Sequence, residues 1–200
     1  TKQDVIGAAR KAFGARFKNF VPAHPMAGTE HSGAAAAFAE LYRGRRGILV
    51  PQRETSRAAV ARVRAAWQAC GAQVVKLQAR EHDEILAAVS HLPHVVAFAL
   101  MGGLAKRKDA KRVLGFSAGG LRDTVRISGS SPEMWRDIFL ANRVQLLAAV
   151  DGYLKEINDL RALLAAGDGA AMEVAFKRAR DARERWLVQP AAIATKKVSS

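Results

Sequence analysis

The sequence has almost no cysteine, a single residue, Cys70, in 200. That excludes an intramolecular disulfide, and with no secretory signal at the start it points to a reduced, cytoplasmic protein. Zinc is disfavoured as well, because neither the histidine spacings nor one thiol makes up a four-ligand set. Acidic residues are scarce, 18 against 32 lysines and arginines, for a formal charge of +14. The excess calls for an anionic partner, but charge alone does not choose among nucleic acid, membrane surface and small polyanion. Aromatic residues make up only 6%. The basic stretches at 106–112 and 177–185 have no interleaved rings on which bases would stack, so they read as a solvated loop and helix face. The most apolar run, residues 87–105, contains His91, Pro93 and His94 and reads poorly as a membrane span. Neither GxGxxG nor a P-loop pattern occurs, so these residues carry no nucleotide phosphate loop.

What is present is 50% hydrophobic, enough to bury a core as one domain or two small ones. The chain opens on a helical pattern, with Val5, Ile6, Ala9 and Phe13 at helical spacing and Gly14 as the C-terminal cap. Because Thr1 is no initiator and this helix is already in progress, the chain is expected to be a fragment. Three β-type runs follow at 19–23, 47–51 and 72–77. Between the last two, residues 56–70 place Ala59, Val60, Val63, Ala66, Trp67 and Cys70 on one helical face and stop at Gly71. Strand, helix, strand with short loops predicts an open α/β sheet, largely parallel.

After Gln78 no convincing strand remains. A helix over 83–107 should kink at Pro93, which lacks an N–H and crowds the carbonyl of Val89. A polar connection spans 106–131. Ser131 as N-cap, with Pro132 at the first helical position, starts a helix to about Ala166 with the stripe Trp135, Ile138, Phe139, Asn142, Leu146, Ala149 and Tyr153. Beyond Gly167, Asp168 and Gly169 a last helix over 170–187 turns Met172, Ala175, Phe176 and Ala179 inward. The fold class is thus α/β followed by all-α, divided into residues 1–78 and 79–200.

Chemistry concentrates at residues 24–33, where a histidine, a carboxylate, hydroxyls and glycines follow an apolar run. Pro25 biases His24 to an extended backbone and so to a strand end, and Gly28 lets the chain turn where a side chain would obstruct a ligand. His24 there is a proton-transfer candidate or a structural hydrogen-bonder. Ser90 and His94 share a helical face, followed by Ala97 and Met101, either as pocket residues or as a polar kink serving carbonyls freed by Pro93. Arg122 and Arg126, on a connection, suit a substrate carboxylate or pair with Asp123 and Asp137 at the surface.

Residues 24–33, Ser90 to His94 within a segment from His82-Asp83 to Leu100, and residues 119–127 through Met134-Trp135-Arg136-Asp137-Ile138 together resemble the prephenate and arogenate dehydrogenases of tyrosine biosynthesis. The resemblance implies a partial Rossmann-like nucleotide-binding domain at 1–78, its glycine loop and a helper serine lying upstream of Thr1, and a helical dimerisation domain at 79–200. It implies NAD or NADP as cofactor, prephenate or arogenate as substrate, and a homodimer without nucleic acid or membrane. His24 matches the catalytic histidine, Arg126 the arginine that binds a substrate carboxylate, and Ser90 and His94 pocket residues. Glu30 and Asp123 match an ionic gate, and Trp135 lies where a partner subunit would approach. The segment 106–112 has no family role. Without the glycine loop and the serine, little turnover is expected from these residues alone. A noncatalytic basic binding module is the reading from another class.

Overall fold

The computed structural model describes residues 1–28, 33 and 37–188. Among them, three strands form one sheet in the order β1-β2-β3, with β1 at Ala23–Pro25, β2 at Arg46–Leu49 and β3 at Gln73–Lys76. β2 and β3 run parallel, Ile48 opposite Val75, and are joined by α2 (Arg57–Ala69). That helix ends at Gly71, whose φ of +81° favours glycine and where an added Cβ would meet the Arg43 backbone at 3.1 Å. β1 pairs antiparallel with β2, placing His24 opposite Ile48. The sheet is therefore mixed rather than largely parallel. A parallel return needs a crossover element, and the described part of the 26–45 connection contains turns and no helix. β1 also starts later than the run at 19–23, because Gly14–Asn19 winds into a 3-10 turn first.

Side chains alternate across β2 with the period of a strand. Ile48 and Val50 pack with Ile6, Ala9, Phe17 and Leu86, whereas Leu49 faces the other way onto Val21 and Ala59. α1 (Lys2–Phe13) and α3 (Ala79–Leu86) thus cover one face of the sheet and α2 the other, the arrangement that buries a strand on both sides.

The proline at 93 is accommodated before it is reached. Ala87–His91 widens into a π turn in which the Leu92 N–H reaches the Ala87 carbonyl, and α4 (Leu92–Ala105) begins with Pro93 in its first turn, where an N–H has no helical acceptor. By length and composition Ala79–Ala105 would span a bilayer, with a mean hydropathy of 1.7. It nevertheless buries His82, Asp83 and His91 inside the fold.

The connection expected over 106–131 holds α5 (Ala110–Gly115), α6 (Gly119–Val125) and a 3-10 turn at Arg126–Gly129. α7 (Pro132–Ala141) starts as the sequence predicts, with the Ser131 hydroxyl accepting from Met134 N at 3.3 Å. The single helix expected to Ala166 is broken at Asn142, which leaves helical geometry (φ −112°, ψ 25°) before α8 (Arg143–Ala166) begins. The cause is tertiary. Asn142 is buried, and its amide nitrogen donates to the Asp83 carbonyl at 2.9 Å and lies 3.1 Å from His91 Nδ1.

The chain divides into two compact units, Thr1–Ala149 and Val150–Ser200. In the second, α9 (Gly169–Val188) half-buries Met172 and Ala175 but leaves Phe176 and Ala179 exposed, contrary to the inward stripe expected. Among the described residues of that unit only α8 is available to cover α9, and one neighbour covers a narrow face.

Asn142→Ala would strand a buried carbonyl and a buried ring nitrogen, so a loss of about 1–3 kcal/mol in urea unfolding is expected. Val144→Ala, at a side chain 71% exposed, should stay within about 0.5 kcal/mol of wild type. Equal effects would contradict the role given to the Asn142 amide.

Candidate functional site

β1 and α3 bring two histidines together. His24 sits in the middle of β1, and its Nδ1 lies 2.8 Å from Nε2 of His82 on α3. On its other side the His82 ring places Nδ1 2.8 Å from Oδ1 of Asp83. Asp83 in turn accepts from Lys2 N at 2.7 Å, from Gln3 N at 2.9 Å and from Gln3 Nε2 at 3.3 Å. A carboxylate from eighty residues away thereby caps α1, whose own N-cap, Thr1, makes no side-chain cap bond. Negative charge is favoured at that end of a helix, where N–H groups lack partners.

A cleft of about 1250 Å³ opens beside this chain of contacts, and His24, Lys2, Ser90, His94, Arg126 and Trp135 are among the residues lining it. The π turn helps to place Ser90 and His91 on its wall. His94 Nδ1–H donates to the Ser90 carbonyl at 2.9 Å, and the His94 ring stacks on Trp135 with centroids 3.5 Å apart. Trp135 is buried among residues of its own unit, and its indole N–H has no hydrogen-bond partner among the described residues. Among the described residues no group of three or more His, Cys, Asp or Glu is placed to hold a metal.

Five residues singled out in the sequence, His24, Ser90, His94, Arg126 and Trp135, therefore line one cleft. Asp123 is exposed on α6 and does not line it. Glu30, with Thr29, His31 and Ser32, lies outside the described residues. Sequence reasoning gave no individual role to His82, Asp83, His91 or Asn142. A signal was present, since His82 and Asp83 fall four and three residues before Leu86 on the buried face of α3, where titratable side chains are out of place unless partnered.

The electrostatics follow from burial. Desolvation lowers His24 to about 4, assisted by the positive charge of Lys2 and by His82 and His91. His91 is likewise lowered to about 4, chiefly by burial. Burial also lowers His94, partly offset by its bond to the Ser90 carbonyl, and lowers Lys2, partly offset by Asp83. For Asp83 burial pulls upward, but hydrogen bonds from His82, Lys2 and Gln3 outweigh it and hold the carboxyl well below the usual carboxylate range. At neutral pH the cleft thus offers neutral imidazoles beside the cationic side chains of Lys2 and Arg126, with the firmly ionised Asp83 carboxylate behind them. Such a set can take a proton from a substrate while holding an anion.

Residues 1–76 match the model of the prephenate dehydrogenase nucleotide-binding domain, and residues 78–178 that of the prephenate dehydrogenase dimerization domain. The chain is 38% identical over 165 residues to a cyclohexadienyl dehydrogenase of Zymomonas mobilis, covering 82% of this chain and 56% of that protein. It is 36% identical over 185 residues to a prephenate dehydrogenase of Bacillus subtilis, covering 92% and 50%. Among solved structures, the prephenate dehydrogenase of A. aeolicus in complex with hydroxyphenyl propionate and NAD+ superposes with a TM-score of 0.81 at 34% identity, over 88% of this chain and 61% of that one. Synechocystis arogenate dehydrogenase gives 0.75 at 25% identity, over 88% and 66%. The chain spans about half the length of the curated relatives it matches. It belongs to the prephenate dehydrogenase family, with part of a nucleotide-binding domain followed by a helical dimerisation domain.

His24 and His91 are depressed in the fold, whereas an unfolded chain would titrate them near about 6.5. Between those values the unfolded state binds more protons, so stability is full above about 6.5 and drains away as pH falls toward about 4. Asp83, also depressed in the fold, adds to the slope in the same direction only below about pH 5, where an unfolded carboxyl begins to protonate. Thermal unfolding should show a lower Tm at pH 5 than at pH 7.5, and a smaller difference in His24→Asn. An unchanged Tm in wild type would contradict the neutral burial of these rings.

Proposed function

We propose that this chain forms the substrate cavity of a prephenate dehydrogenase, which converts prephenate to 4-hydroxyphenylpyruvate and CO2 with hydride transfer to NAD. The observation that carries the reading is a neutral, half-buried His24 in the same cleft as Arg126 and Lys2. Prephenate is a dianion with a ring hydroxyl. Its oxidation removes a hydride from the carbon bearing that hydroxyl and the proton from the oxygen, while the ring carboxylate departs as CO2, its bonding electrons complete the aromatic ring, and the resulting phenolate oxygen takes a proton back to give the phenol. A nicotinamide, when bound, accepts the hydride.

The residues of this chain supply the rest. His24 accepts the hydroxyl proton as the C–O bond gains double-bond character, a task for an imidazole that is uncharged at the start. Arg126 holds a substrate carboxylate through its planar, permanently charged guanidinium. Lys2 adds a second positive group at the cleft wall, and Ser90 and His94 bound the substrate. Asp123 and Glu30 are assigned to an ionic gate around the pocket. The absence of a glycine-rich phosphate loop among these residues leaves the cofactor's pyrophosphate without an assigned partner, so no residue here is given to the cofactor.

The division at residue 78 is supported by the change of family model between residues 76 and 78. A homodimer is supported by the dimerization-domain match and by exposed apolar side chains along α8, among them Val144, Leu147, Leu154 and Leu164. Trp135, buried within its own unit, forms part of the cleft wall. Arogenate is the second substrate reading, since the relatives include a cyclohexadienyl and an arogenate dehydrogenase.

Assays of the active protein with prephenate and with arogenate, each with NAD+ and NADP+, test the reading. Turnover of neither would sink it. In the same assay His24→Asn should lower kcat by about a hundredfold or more with little change in KM, as expected for loss of a general base. Arg126→Ala should raise KM about tenfold or more, and a KM within about twofold of wild type would count against its carboxylate role.

A further inference from the structure

We propose that His82 and Asp83 are positioning residues that lock His24 in the tautomer with its proton on Nδ1, so that Nε2 meets the cleft as a bare acceptor. The argument is a chain of donors and acceptors read from its fixed end. Asp83 Oδ1 and Oδ2 already accept from the Lys2 and Gln3 backbone N–H groups at 2.7 and 2.9 Å. An ionised carboxylate only accepts, so the 2.8 Å contact with His82 Nδ1 requires that nitrogen to carry its hydrogen. In a neutral ring His82 Nε2 is then the acceptor, and the 2.8 Å contact with His24 Nδ1 requires the hydrogen to sit on His24. The only ring nitrogen of His24 left without a proton is Nε2, on a residue that lines the cleft.

The alternative is an imidazolium at His82, which would donate from Nε2 and force the opposite tautomer on His24. It would bury a charge in a side chain 1% exposed, against a carboxylate that already accepts from the Lys2 and Gln3 backbone N–H groups. Among the described residues, the charged and titratable groups that bear on His24 are Lys2, His82, the Thr1 amino group and His91, all of them cationic or neutral.

Asn142 provides an internal contrast. Its amide nitrogen is identified by donating to the Asp83 carbonyl, which can only accept, and the same nitrogen lies 3.1 Å from His91 Nδ1. His91 Nδ1 is therefore an acceptor, and its proton is on Nε2. Two histidines of one cleft thus hold opposite tautomers because their neighbours have opposite polarity.

Long-range nitrogen–proton correlation spectra of the 15N-labelled chain at pH 7.5 read both tautomers directly, with His24→Gln and His91→Gln assigning the signals. The expected result is Nδ1–H for His24 and Nε2–H for His91. A His24 ring protonated on Nε2, or a His82 ring protonated on both nitrogens, would overturn the proposal. His82→Leu should raise the Nε2–H fraction of His24. In active protein the same change should lower kcat at least tenfold with KM within about twofold. A folded His82→Leu protein whose His24 tautomer is unchanged would overturn it too. If that variant does not fold, the wild-type spectrum decides. The kinetic arm rests on His24 as the base of the proposed reaction, whereas the spectra stand without it, so failure of one is distinguishable from failure of the other.

Discussion

The carboxylate of Asp83 is the point through which the first unit is tied together. It caps α1 through two backbone N–H groups, holds the adjacent His82 ring by Nδ1, and through that ring reaches His24 on β1. Its own carbonyl accepts from Asn142 at the end of α7. Elements from four parts of the chain thus converge on one residue. A buried charge is tolerable only when its lone pairs are satisfied, and here the bonds outweigh the desolvation that would otherwise raise the carboxyl. The same requirement makes the network unforgiving, since removal of one member leaves another buried and unpaired.

Two departures from regular helix serve this network. The π turn at Ala87–His91 absorbs Pro93 and places His91 in contact with Asn142, while Ser90 and His94 face the cleft. The break at Asn142 frees an amide that an uninterrupted helix would have carried on a smooth apolar stripe. Both cost regular backbone hydrogen bonds, and both are offset by side-chain bonds between elements distant in sequence.

The cleft pairs uncharged acceptors with fixed positive charge. Burial keeps His24, His91 and His94 neutral, and that burial is also why they destabilise the fold when protonated. The overall charge of +14 is spread over exposed helices as well as the cleft, where it raises the local concentration of anions without selecting one. Selection falls to the few groups whose positions are set by packing.

Local pattern was enough for much of this. The period of the apolar residues located α1, α2, α4 and α9, Gly14 and Gly71 marked helix ends, and Ser131-Pro132 marked the start of α7, because caps and periodicity act within a turn or two of chain. His24, Ser90, His94 and Arg126 stood out by residue type and context, and family likeness linked them. Local pattern did not reveal that β1 runs antiparallel to β2, that the helix after Ser131 breaks at Asn142, or that His82 and Asp83 stand behind His24. Each of those is decided by a partner tens of residues away: a hydrogen-bonding edge, a carbonyl to satisfy, a helix end that lacks acceptors. A sequence states which groups need partners, and only the packed chain determines which partner each receives.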